Sequence, residues 1–111
     1  MPGRALATTV VGQGPRVVLV HGFTQTSRCW GPFLDGLAAE NRVVAVDAPG
    51  HGGSRAVAAD VAESARLLGE TAGEAIYVGY SMGGRIALRL ALDRPELVRA
   101  LVLIGTSPGI E

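Results

Sequence analysis

Four short apolar runs limit what this chain can fold into: Val17-Val18-Leu19-Val20, Val43-Val44-Ala45-Val46, Ile76-Tyr77-Val78 and Leu101-Val102-Leu103-Ile104. None alternates with polar residues, and each leads into a turn rich in glycine or proline, so they read as strands. A strand that is apolar on both sides has to be covered on both faces, which favours parallel pairing with helices above and below the sheet. The segments between the runs supply those helices, over residues 30–39, 56–68 and 82–92. Val61, Ala65 and Leu68 recur at near-helical spacing, and Ile86 and Leu90 with Ala87 and Ala91 give the last segment an apolar face. Asp60 is placed to cap within the second segment. Asp93-Arg94-Pro95 ends the third, because proline disfavours helical geometry in the residue before it. Residues 5–11, closed by Gly12-Gln13-Gly14-Pro15, read as an extra strand turning toward Val17. This alternation predicts right-handed crossovers in an open, mostly parallel α/β sheet, with residues 1–111 forming one domain.

Composition narrows the function by exclusion. Apolar residues make up 48% of the chain and charged residues 18%, as in a globular protein. Ten arginines balance ten acids, so nothing calls for electrostatic capture of nucleic acid or an anionic membrane. Cys29 is the single cysteine, which rules out disulfides within the chain and four-cysteine zinc sites and points to a reducing compartment, with the cytoplasm as the expected location. No apolar run approaches the roughly 20 residues of a spanning helix, and the first residues lack a signal-type apolar core. Two histidines, His21 and His51, without a ligand-rich neighbourhood give no metal site, and no cofactor is expected. A dinucleotide fold is disfavoured because no G-x-G-x-x-G follows the first strand.

The chemistry is carried by Gly79-Tyr80-Ser81-Met82-Gly83, which follows one strand and opens one helix. That is the context of a nucleophile elbow, a sharp turn that pushes a serine Oγ outward, with glycines where side chains would strike neighbouring backbone. The helix N-terminus after it presents unpaired amides, so the Met82 N–H can receive an oxyanion developing on a substrate carbonyl. His21-Gly22-Phe23-Thr24 leaves the first strand and brings a second donor, the Phe23 N–H, toward the same position. His21 itself reads as a loop-ordering residue, with Gly22 letting the loop turn. In Asp47-Ala48-Pro49-Gly50-His51-Gly52-Gly53-Ser54, Asp47 and His51 read as tying down a rigid loop and not as a catalytic acid and base. Ligands of open α/β sheets bind beyond the carboxyl ends of the strands, where all three segments converge.

H-G-F-T, D-A-P-G-H-G-G-S and G-Y-S-M-G-G, in this order and spacing, resemble the N-terminal half of an α/β-hydrolase-fold enzyme. Within that superfamily, Gly79 to Arg85 followed by Leu103-Ile104-Gly105-Thr106-Ser107-Pro108-Gly109 looks most like the menaquinone-pathway 2-succinyl-6-hydroxy-2,4-cyclohexadiene-1-carboxylate synthases. The resemblance implies Ser81 as the nucleophile or catalytic hydroxyl, the Phe23 and Met82 amides as oxyanion donors, and a small-molecule substrate. It also implies Arg85 as a substrate-carboxylate-binding residue. Arg85 lies one helical turn beyond Ser81, and its planar fork suits a carboxylate. The implied reaction is elimination of pyruvate by a lyase, or hydrolysis of an ester or C–C bond by a relative.

A serine needs a base oriented by an acid, in the chain order Ser, acid, His for this fold. No histidine follows Ser81. The family's cap and its last strands, which carry the acid and histidine, are likewise expected to be lacking from these 111 residues. The chain by itself is therefore expected to be slow, by roughly 10³ or more. The alternative is a noncatalytic homologue that acts by binding or assembly. The last strand would then be an exposed apolar edge open to self-association.

Overall fold

A computed structural model describes residues 6–22, 30–54 and 59–105 of the chain. The chain forms strands Thr8–Val11 (β1) and Arg16–Val20 (β2), helix Gly31–Ala38 (α1), strand Arg42–Val46 (β3) and helix Val61–Ala72 (α2). Strand Ala75–Tyr80 (β4), helix Met82–Asp93 (α3) and strand Val98–Ile104 (β5) follow. The four apolar runs are all strands, most extending a residue or more beyond the run. Short 3₁₀ turns at Gly52–Ser54 and Pro95–Leu97 complete the order.

The strands form one sheet in the order β1-β3-β2-β4-β5. Pairings β2 with β3, β2 with β4 and β4 with β5 are parallel, as the continuous apolarity of the runs predicts. β1 begins at Thr8 and pairs antiparallel with β3, so it passes over its sequence neighbour β2. The chain order reverses between β2 and β4, so the switch point of the sheet lies beside the exits of these two strands.

Alternate residues of each strand enter different layers. Val18, Val20, Val44, Val46 and Tyr77 pack with Ala65, Leu68, Ile86 and Leu90 of α2 and α3. Val17, Leu19, Val43, Ala45 and Val78 pack with Trp30 and with Leu34 and Leu37 of α1. Asp60 is the N-cap of α2, its carboxylate accepting from the Glu63 N–H at 2.8 Å. It thus stands before the helix rather than inside it, and the helix continues four residues past Leu68. At the other end, the buried Tyr77 hydroxyl donates to the Gly73 carbonyl, and burial pushes its pKa up to about 12. α3 stops at Asp93, as the following Arg94-Pro95 requires.

β5 is the exception to the covered sheet. It pairs on one side only, and Val102, Leu103 and Ile104 are 45%, 40% and 39% exposed. Among the described residues no helix is long and apolar enough to cross a membrane.

Candidate active site

Strand register brings the candidate residues together. Val20 is the partner of Val46 on β3 and of Gly79 on β4, so His21, Asp47 and the Tyr80-Ser81 turn leave the sheet side by side at its carboxyl end.

Ser81 sits between the last residue of β4 and the first of α3 with φ 55° and ψ −114°. It is the one described non-glycine residue with positive φ. Such a conformation costs about 1–3 kcal/mol and persists only where the surroundings enforce it. Three backbone bonds do so: the Ser81 N–H donates to the Ile104 carbonyl at 2.9 Å, and the Ser81 carbonyl accepts from Gly84 at 3.0 Å and Arg85 at 3.3 Å.

The flanking glycines are required for space. A Cβ on Gly83 would lie 2.1 Å from the Val20 carbonyl oxygen and 2.5 Å from that of His21. One on Gly79 would lie 2.5 Å from Gly84 Cα and 2.6 Å from the Gly83 carbonyl oxygen. The start of α3 thus rests directly on the backbone of β2, and the turn has nowhere to relax. Met82 is the first residue of α3, so its N–H belongs to the helix's first turn, which has no intrahelical acceptor. The second expected donor, Phe23, lies outside the described residues. Arg85 is on the exposed side of the first turn of α3.

His21 is wholly buried. Its Nε2 accepts from the Ala48 N–H at 2.9 Å, which makes Nδ1 the protonated nitrogen, donating to the Gly22 carbonyl at 2.7 Å. Both ring nitrogens are therefore engaged, Nδ1 within the loop after β2 and Nε2 in joining it to the loop after β3. Burial holds its pKa below the ordinary imidazole value, with nearby His51 acting the same way, against the Gly22 hydrogen bond and Asp47. Protonation would also set an N–H against the Ala48 N–H. Because the unfolded chain takes up this proton more readily than the folded one, stability is full above pH 6.5 and falls as the pH drops below it. Thermal melts between pH 7.5 and 5.5 should show this decline, and His21→Gln should flatten it. An equal slope in the variant would assign the decline to other groups.

The loop after β3 is tied to itself. The Asp47 carboxylate accepts from the Gly53 N–H at 3.0 Å, and Gly52, at φ 47°, would place a Cβ 2.7 Å from that carboxylate. His51 Nδ1 lies 3.0 Å from the Pro49 carbonyl oxygen, and its ring meets His21 edge-on at 5.1 Å. Buried Ser54, which sequence reasoning passed over, anchors the loop from below: its Oγ accepts from the Ala7 N–H at 2.8 Å. Its place three residues after His51 in a glycine-rich turn was the available signal. Trp30 is a core residue, whereas Tyr80 stands exposed at the end of β4. Cys29 and the 106–109 segment lie outside the described residues. Among the described residues no group of three or more His, Cys, Asp or Glu side chains could hold a metal ion.

The chain resembles known proteins in sequence and in fold. The chain is 44% identical over 101 residues to the pimeloyl-[acyl-carrier protein] methyl ester esterase of Vibrio atlanticus, an alignment spanning 89% of this chain and 39% of that one. It is 37% identical over 99 residues to the enzyme of the same name from Nitrosomonas europaea, again over 39% of its length. A solved thermophilic esterase from Thermogutta terrifontis, with malate bound, superposes with a TM-score of 0.84 at 31% identity, covering 92% of this chain and 40% of that one. These relatives are esterases and not the pyruvate-eliminating synthases that the motif resemblance indicated. A nucleophile-elbow motif with nearby backbone donors suits either reaction, so those motifs alone do not separate the two. Residues 17–110, from the first buried strand through the elbow and beyond β5, match the Alpha/beta hydrolase family, and the chain belongs to that family.

Proposed function

We propose that the chain carries the nucleophile elbow of a serine ester hydrolase. The observation behind this is Ser81 at φ 55° in a strand-to-helix turn whose flanking glycines pack against backbone. Ser81 Oγ attacks the ester carbonyl, its proton passing to solvent water in the 111-residue chain, and the oxyanion is received by the amides of Met82 and Phe23. The alkoxide then leaves as the alcohol, taking a proton from solvent water, and a second water molecule releases the acid from the acyl-serine and restores the Ser81 hydroxyl. By analogy with the relatives' names, the substrate class is a methyl ester on an acyl group, there held by a carrier protein. Arg85 faces a carboxylate in this reading, either the one released by hydrolysis or a second one on the acyl chain.

The proton acceptor is not His21, whose nitrogens are both engaged, and no histidine follows Ser81. Hydrolysis of p-nitrophenyl butyrate by the 111-residue chain is accordingly expected at roughly 10³-fold or more below ordinary esterase rates. What remains should disappear in Ser81→Ala. Arg85→Ala should raise KM for an ester bearing a free carboxylate and leave the neutral ester unchanged. Hydrolysis indifferent to Ser81 would remove the proposal. The exposed apolar edge of β5 further favours self-association, seen as concentration-dependent sedimentation, and a monodisperse monomer would contradict that part.

A further inference from the structure

At the end of the sheet opposite Ser81 the strands begin, and three of them begin with arginine at their first or second residue. Arg16 opens β2, Arg42 opens β3, Arg99 is the second residue of β5, and Glu74 immediately precedes β4. Arg16 and Arg42 are register partners on adjacent parallel strands, in phase with Val18, Val20, Val44 and Val46 of the layer under α2 and α3. Their side chains therefore leave the sheet next to each other on one face, an arrangement that like charges disfavour. Arg16 spends one donor on the end of α2, where Nη1 donates to the Ala72 carbonyl at 2.8 Å. The guanidinium groups of Arg42 and Arg99 have no partner among the described residues. This sets them apart from Arg66, Arg89 and Arg94, each ion-paired with a carboxylate on its own segment.

Arg16, Arg42, Glu74, Arg99 and Gly14 line one cleft of about 470 Å³. A smaller cleft of about 140 Å³, with Thr8 and Thr71 in its wall, shares Arg16 and Arg42. Three cations against one carboxylate leave an excess of two positive charges there, in a chain whose net charge is zero. A dianion balances that excess, and the guanidinium fork matches tetrahedral oxyanions in two-point contacts. β4, at about 3.3 Å per residue, holds this cleft roughly 20 Å from Ser81, too far for it to share a ligand with the elbow.

We propose that this cleft is a second binding site, for a phosphoryl dianion, either free phosphate or a phosphate monoester. Isothermal titration of the 111-residue chain at low ionic strength, with inorganic phosphate and with glycerol 3-phosphate, tests it. Saturable one-to-one binding is expected for at least one, and the tighter of the two identifies the source. Arg42→Gln and Arg99→Gln should each weaken binding at least tenfold. Arg89→Gln removes the same charge from the surface of α3 and should change it less than twofold. Without ligand, Arg42→Gln should melt higher than the parent because the Arg16–Arg42 repulsion is relieved, and phosphate should raise the melting temperature of the parent and of Arg89→Gln more than that of Arg42→Gln. Absence of saturable binding, equal weakening by Arg89→Gln, or a lower ligand-free melting temperature for Arg42→Gln would each overturn the proposal.

Discussion

Gly83→Ala is expected to be the most damaging single substitution near the site. Its methyl group would lie 2.1 Å from the Val20 carbonyl oxygen and 2.5 Å from that of His21, and both are backbone atoms fixed by the sheet. No side chain can rotate away, so α3 must lift off β2 and take the Ser81 turn with it. Overpacking typically costs 1–3 kcal/mol where side chains can adjust; with backbone on both sides a loss of at least about 3 kcal/mol is expected. That is a large share of the roughly 5–15 kcal/mol that stabilises a domain. At about 4–8 °C per kcal/mol for a domain of this size, the melting temperature should fall by roughly 12 °C or more. Gly36→Ala is the control, because a Cβ at Gly36 meets nothing within 4 Å. A Gly83→Ala protein that melts with the parent would mean that α3 does not rest on β2 as described.

The second large effect has the opposite sign. Ser81→Gly should stabilise the chain by about 1 kcal/mol, the positive-φ strain of about 1–3 kcal/mol being relieved and partly offset by the greater freedom of glycine in the unfolded chain. Ser81→Ala keeps the Cβ and with it the strain, so it should melt close to the parent although it too lacks the hydroxyl. The difference between the two variants isolates the backbone term from the loss of Oγ. Equal stabilities, measured by chemical denaturation, would show that the turn is not strained.

Much of this was legible in the residues themselves. Continuous apolar runs located the parallel strands because burial on both faces leaves no room for alternation, and Tyr77 fits that rule by sending only its hydroxyl to the Gly73 carbonyl. The G-x-S-x-G spacing marked the glycines as required, and the structure supplies the reason as contact with backbone at Val20, His21 and Gly84. Other features depended on neighbours that are distant in sequence. β1 pairs with β3 instead of β2, a choice fixed by which sheet edge is open and not by the turn at residues 12–15. Ser54 looked like one more polar turn residue, yet its bond to Ala7 exists only because β1 lies beside the loop after β3. The arginine cluster appears only when register pairs Arg16 with Arg42 and strand order sets Arg99 of β5 at the same end of the sheet, since along the chain they are scattered. That the relatives are esterases was also beyond the elbow motif, because an elbow with oxyanion donors suits either chemistry.

The most direct test of Ser81 as the nucleophile is reaction of the 111-residue chain with a fluorophosphonate, located by intact mass and peptide mapping. The chain has five serines, and among the described residues only Ser81 occupies a strained turn at the N-terminus of a helix. One added phosphonyl group per chain, on Ser81, slow to form and lost in Ser81→Ala, is the expected result. Modification spread over the other serines, or a single site that persists in Ser81→Ala, would contradict the assignment of Ser81 as the nucleophile.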